Sequence, residues 1–116
     1  MLKLCRVDLE RSKEVFEGID RYKERVIREL DPAAILLFGS FARGDIHEGS
    51  DVDMIVIANF TEGFLDRIKT LLDLNVGLPL EPIGYTPEEF KRMKEQGNPF
   101  ILDVLREGKV INGVIP

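Results

Sequence analysis

Between Asp8 and Leu30, apolar residues recur at Val15, Phe16, Ile19, Tyr22, Val26, Ile27 and Leu30 among charged neighbours. That spacing of about 3.6 residues predicts an amphipathic helix over Asp8 to Leu30, with one face on a core. Pro32 lies just beyond it, where a helix cannot readily continue. The period then changes. Ala33 to Phe38 (AAILLF) is a short apolar run stopped by Gly39, which predicts a buried strand. Phe41 to Ile46 has room for one or two helical turns. Asp51 to Ala58 (DVDMIVIA) predicts a second strand, β-branched and apolar on both faces after Asp53, as in the middle of a covered sheet.

Further on, Phe64, Leu65, Ile68, Leu71, Leu72 and Asn75 fall at helical spacing, and Gly77 ends that helix. Leu78 to Tyr85 (LPLEPIGY) predicts a third strand. Pro79 and Pro82 cannot donate ladder hydrogen bonds, so it belongs at an edge or carries a bulge. Thr86-Pro87-Glu88-Glu89 is a helix start: Thr86 caps, Pro87 suits the first turn and Glu89 can reach back to complete a capping box. Gly97 ends this helix, Asn98-Pro99 starts another through Leu105, and Lys109 to Asn112 can form a short last strand. The expected fold is α/β (α+β), a small mixed β-sheet flanked by helices, with residues 1–116 as one domain.

Composition narrows the function. The 116 residues, 44% of them apolar, suffice for one core but not two. A formal net charge of −5 argues against a protein that grips nucleic acid through a basic face. Cys5 is the only cysteine, which excludes an intrachain disulfide and reads as a small apolar packing residue. The start of the chain lacks the apolar stretch of a secretion signal, and no apolar run approaches the roughly 20 residues that span a bilayer. The expectation is a soluble cytoplasmic protein.

Two aspartates open the second predicted strand. Alternation puts Asp51 and Asp53 on one face, with backbone positions about 7 Å apart. Carboxylates converging to about 5 Å repel by roughly 3 kcal/mol at an effective dielectric of 20. A cation between them relieves this, and Mg²⁺, with its preference for oxygen ligands and phosphates, is the natural one. The plainer alternative is a solvated turn in which Ser50 or Asp51 caps the loop. Glu81 is the one charge in an otherwise apolar strand; if that strand runs beside Asp51 to Ile57, Glu81 joins the aspartates as ligand or base. Otherwise it is an outward-facing edge residue.

Upstream, Gly39 lets the backbone approach an anion closely, and the amides that follow point outward. Ser40 adds a hydroxyl, Arg43 a planar guanidinium fork for phosphate oxygens, and Gly44 a turn. Taken singly, Arg43 reads as a surface ion-pair residue beside Asp45 or Glu48. His47, the only histidine, reads as a solvated loop residue without a catalytic role.

The span Gly39 to Ile57, GSFARGDIHEGSDVDMIVI, resembles the signature of the nucleotidyltransferase superfamily that includes DNA polymerase beta. With LEPIGYTPEEF (Leu80 to Phe90), it is most similar to the minimal nucleotidyltransferases encoded beside HEPN-domain toxins. The resemblance implies a magnesium-dependent transfer of AMP from ATP onto an acceptor hydroxyl. It implies that Gly39, Ser40, Arg43 and Ser50 bind the nucleotide, and that Asp51, Asp53 and Glu81 are the catalytic acids holding two Mg²⁺. Many relatives carry an aspartate as third acid, so Glu81 departs by one methylene. The implied partner is a HEPN-domain toxin, in a hetero-oligomer, with this chain an antitoxin that adenylylates it; neither a nucleic acid nor a membrane is expected as a partner. Two other readings stay open: a small-molecule nucleotidyltransferase of the aminoglycoside-modifying kind, and a non-catalytic antitoxin that acts by covering its partner.

Overall fold

The computed structural model describes residues 2–44, 46, 50–75 and 77–116, with side chains described from residue 13 onward. Helix α1 spans Leu2–Leu30, β1 Ala34–Phe38, α2 Ser40–Arg43, β2 Val52–Ile57 and α3 Phe64–Asp73. Then come β3 Leu80–Tyr85, α4 Pro87–Glu95, α5 Pro99–Glu107 and β4 Lys109–Gly113. Helix α1 starts well before the expected Asp8, since no proline or glycine interrupts the chain there. The turn after β1 is shorter than expected. It closes at Gly44 in the left-handed conformation, leaving Ile46 outside the helix. His47, Asp45 and Glu48 lie outside the described residues, as does the side chain of Cys5.

The four strands form one mixed sheet in the order β3-β2-β1-β4. Strand β1 pairs antiparallel with both β2 and β4, and β2 pairs parallel with β3. Strand β2 is thus central, as its apolar faces require. Strand β3, with Pro82, takes an edge; Pro79 lies just before it, and its carbonyl accepts a 2.7 Å hydrogen bond from the Val52 amide. Alternation along the strands sends side chains into two cores. One face packs Ile35, Leu37, Met54 and Val56 against Ile19, Tyr22 and Val26 of α1 and Leu71 of α3. Across that layer the buried Tyr22 hydroxyl donates to the Leu71 carbonyl at 2.7 Å, tying α1 to α3. The other face packs Ala34, Leu36, Ile55 and Ile57 against Phe90 of α4 and Ile101 and Val104 of α5.

Helical spacing overstated some burial. Phe16 is partly exposed and packs edge-on against Phe41, while Phe64, Leu65 and Leu72 of α3 face outward beside the buried Leu71. The helix starts are built as expected. The Thr86 hydroxyl accepts from the Glu89 amide at 3.2 Å and Glu89 accepts from the Thr86 amide at 2.8 Å. No helix among the described residues is long and apolar enough to cross a membrane.

Candidate active site

Strand register brings the sequence-predicted acids and the glycine turn to one end of the sheet. Phe38 is the pairing partner of Asp53 on β2, and Asp53 is the partner of Glu81 on β3. The chain leaves β1 at Gly39 with φ 70° and ψ −151°, a region open in practice only to glycine. A Cβ there would collide with Asp53 Oδ2, so the turn sits directly against the carboxylate. Asp51 immediately precedes β2, is exposed, and lies on the Asp53 side by alternation. Ser50 is half-buried in the preceding segment.

The electrostatics follow from this crowding. The Asp53 carboxyl is pushed up to about 6, first by burial, then by its hydrogen bond with Glu81 and the charges of Glu81 and Asp51. Arg43 pulls the other way. Asp53 and Glu81 are therefore within hydrogen-bond reach of each other, with Asp51 acting on Asp53 through space. Among the described residues no three acids, histidines or cysteines close into a finished metal cluster. The donor set nevertheless suits a hard divalent cation: carboxylate oxygens crowded at the mouth of an apolar strand repel one another, and a metal between them relieves that.

Arg43 ends α2, exposed, with its guanidinium 3.8 Å from Glu107 at the end of α5. Asp45 and Glu48, the neighbours expected to pair with it, lie outside the described residues. Between the two elements lies a cleft of about 370 Å³, with Gly39, Ser40, Arg43 and Asp53 on one wall and Phe100, Asp103 and Glu107 on the other. Sequence reasoning gave α5 no part in the site. The available signal was an aromatic residue directly after an Asn-Pro helix start, although its placement depends on tertiary packing. A larger cleft of about 510 Å³ runs along α1 beside Leu74, bordered by Arg21, Arg25 and Arg28 with Glu24 and Glu29; it contains none of the candidate residues.

A second charged feature was also missed. Arg67 of α3 is buried; it donates to the Glu62 carbonyl at 2.8 Å, the Gly84 carbonyl at 3.3 Å and Glu89 Oε1 at 2.6 Å. Its guanidinium also lies 5.5 Å from the centre of the Phe60 ring. It ties α3 to the end of β3 and the start of α4, at the opposite end of β3 from Glu81.

Comparison with known proteins gives the family and the fold. Residues 19–112 match the family model described as "Nucleotidyltransferase domain". Two proteins of Methanocaldococcus jannaschii, each bearing the name "Putative protein adenylyltransferase", are similar to this chain. One is 38% identical over 88 residues, covering 70% of this chain and 58% of the relative, so the match spans less than two thirds of that protein. The other is 35% identical over 77 residues, covering 66% of this chain and 75% of the relative. A crystal structure of a "putative nucleotidyltransferase" from Sulfolobus solfataricus superposes with a TM-score of 0.64 at 17% identity, over 89% of this chain and 84% of that one. At that identity the likeness concerns the fold.

Proposed function

This chain belongs to the nucleotidyltransferase-domain family, and on that premise we propose that it transfers AMP from ATP onto a hydroxyl of a partner protein. The observation that carries the reading is the row Gly39–Asp53–Glu81, in which a turn fit for phosphate touches one acid and strand pairing supplies the next. The names of the two similar proteins support a protein acceptor. The resemblance to minimal nucleotidyltransferases supports a HEPN-domain toxin as that acceptor, with this chain as its antitoxin.

In this reading the Ser40 hydroxyl and the amides following Gly39 hold the β- and γ-phosphates, with Ser50 and Arg43 alongside. The acceptor hydroxyl attacks the α-phosphorus while the bond to the β-phosphate oxygen breaks. Glu81, the outermost acid, takes the hydroxyl proton, and pyrophosphate leaves toward Arg43. The products are the AMP ester, pyrophosphate and one proton. Asp51, Asp53 and Glu81 would hold Mg²⁺, which when bound supplies charge neutralisation at the α-phosphate. Arg43 must leave Glu107 to meet the phosphates, an exchange of one exposed ion pair for a stronger, doubly bonded contact.

The test is transfer of label from α-labelled ATP, with Mg²⁺, to the co-expressed partner. Wild type is expected to label the partner, and Asp51→Asn, folded, to leave it unlabelled. Absence of labelling by wild type on every co-encoded partner would sink the proposal. Neutralisation retained by an Asp51→Asn/Asp53→Asn double variant would instead favour a binding antitoxin.

A further inference from the structure

We propose that Phe38 and Phe100 form the platform on which the nucleobase of the incoming nucleoside triphosphate stacks. The inference rests on the nucleotidyl-transfer reading above and gives the base a place in it. It starts from the face that α5 turns toward the cleft. Positions 100, 103, 104 and 107 form an i, i+3, i+4, i+7 stripe, and all four residues line that cleft. Its other members have evident roles: Val104 is core, Asp103 pairs with Arg106 at 2.6 Å, and Glu107 faces Arg43. Core packing does not account for Phe100, which stays 37% exposed while its neighbour Ile101 is fully buried.

The ring geometry suits a third aromatic partner. Phe38 and Phe100 meet with centroids 5.4 Å apart and planes at 83°. In an edge-to-face pair the ring that offers its edge keeps both faces clear of its partner, and a flat base can take one. Position fits as well. Phe38 directly precedes Gly39 and is the register partner of Asp53, so the rings stand beside the phosphate turn and the acids. A nucleoside triphosphate has a polyanionic end and a flat aromatic end, and this cleft offers Ser40 and Arg43 to the first and two phenyl rings to the second. The platform is also set before any ligand arrives. The Asn98 side chain accepts from the Phe100 amide at 3.0 Å and the Ile101 amide at 3.3 Å, and Pro99 fixes the first turn. Little ordering remains to be done on binding. Stacking uses the π-face common to all bases, so the platform accepts each of them and holds the larger purines best.

The chain contains no tryptophan, so Phe100→Trp introduces one indole reporter at the platform. MgATP is expected to quench its fluorescence saturably, whereas magnesium tripolyphosphate is expected to bind, by calorimetry, without quenching. Phe100→Ala should weaken MgATP binding about tenfold and leave tripolyphosphate binding within about twofold, with Phe100→Tyr restoring the difference. Unchanged ATP affinity in Phe100→Ala, or equal loss for both ligands, overturns the platform while leaving the nucleotidyl-transfer reading intact. So does normal ATP affinity with impaired transfer, which would assign Phe100 to the acceptor. Failure of wild type to bind either ligand overturns the underlying reading and the platform with it.

Discussion

At the start of β3, Glu81 lies against a like charge, Asp53; just past its end, Glu89 closes on an opposite one, Arg67. The two carboxyl groups that matter respond in opposite directions. Asp53 is held above the ordinary aspartate range by burial and by its acidic neighbours. Glu89 is held below the ordinary glutamate range, chiefly by its hydrogen bond from Arg67. The Arg67 end is satisfied: the guanidinium meets two carbonyls, a carboxylate and an aromatic ring. At the Asp53 end, Arg43 offsets only part of the effect of burial and of the neighbouring acids. The charge at the Arg67 end finds its partners inside the chain, whereas the acids at the Asp53 end are the ones that the proposed function leaves for a bound cation to neutralise.

The sharpest way to break this contrast is to neutralise one acid. Asp53→Asn should lower nucleotidyl transfer by at least about 100-fold, while thermal unfolding without metal occurs at the same temperature or higher. A large loss of stability would mean that Asp53 is structural after all. Next in size, Arg67→Ala should destabilise the fold by about 2 kcal/mol, because it strands the Gly84 carbonyl and part of Glu89. That figure is kept low because Glu89 retains contact with water. Urea unfolding measures it, and Km for ATP in the folded fraction should be unchanged. Smaller again, Gly39→Ala forces a methyl group onto Asp53 Oδ2 at a φ of 70°, which should cost about 1 kcal/mol or more. Here ATP binding should suffer as well as stability, which distinguishes it from Arg67→Ala.

The smallest effect is in the pH profile. Asp53 has a raised folded-state value, so its contribution to stability is complete below the unfolded aspartate range and is lost as pH rises toward about 6. Glu89 has a lowered one, so its contribution is complete above the ordinary glutamate range and is lost as pH falls through its folded value. Metal-free denaturation from pH 3.5 to 7 should therefore show two limbs of opposite sign. Asp53→Asn should remove the limb that falls with rising pH, and Glu89→Gln the limb that falls with falling pH. Retention of both limbs in both variants would refute the assignment.

Much of this layout was legible in the sequence because local rules dictate it. The apolar run ending at Gly39, the DVDMIVI strand and the Thr86–Glu89 capping box each depend on residues within a few positions. Glu81 could be placed because a lone charge in an apolar strand has few reasons to be there. Its pairing with Asp53, rather than with a neighbour one residue away, depends on register, which only the assembled sheet defines. Arg67 was illegible for a related reason. On its own helix it reads as one more solvated charge, and its burial comes from Gly84 and Glu89, both outside that helix. The one local sign was its position: three residues after Phe64 and four before the buried Leu71. The approach of α5 to the Gly39 turn likewise depends on packing across the sheet.

Strand β3 has a single strand neighbour, and this carries a dynamic consequence. Edge elements open more easily than central ones, without global unfolding. Lifting β3 off β2 separates Glu81 from Asp53 but leaves β1, β2 and the Gly39 turn paired. The integrity of the acid pair is therefore governed by the local opening free energy of one edge strand. Arg67, gripping the Gly84 carbonyl near the far end of that strand, acts as its clasp. Loosening the clasp should speed amide hydrogen exchange along Glu81 to Tyr85 before it affects β1 or β2.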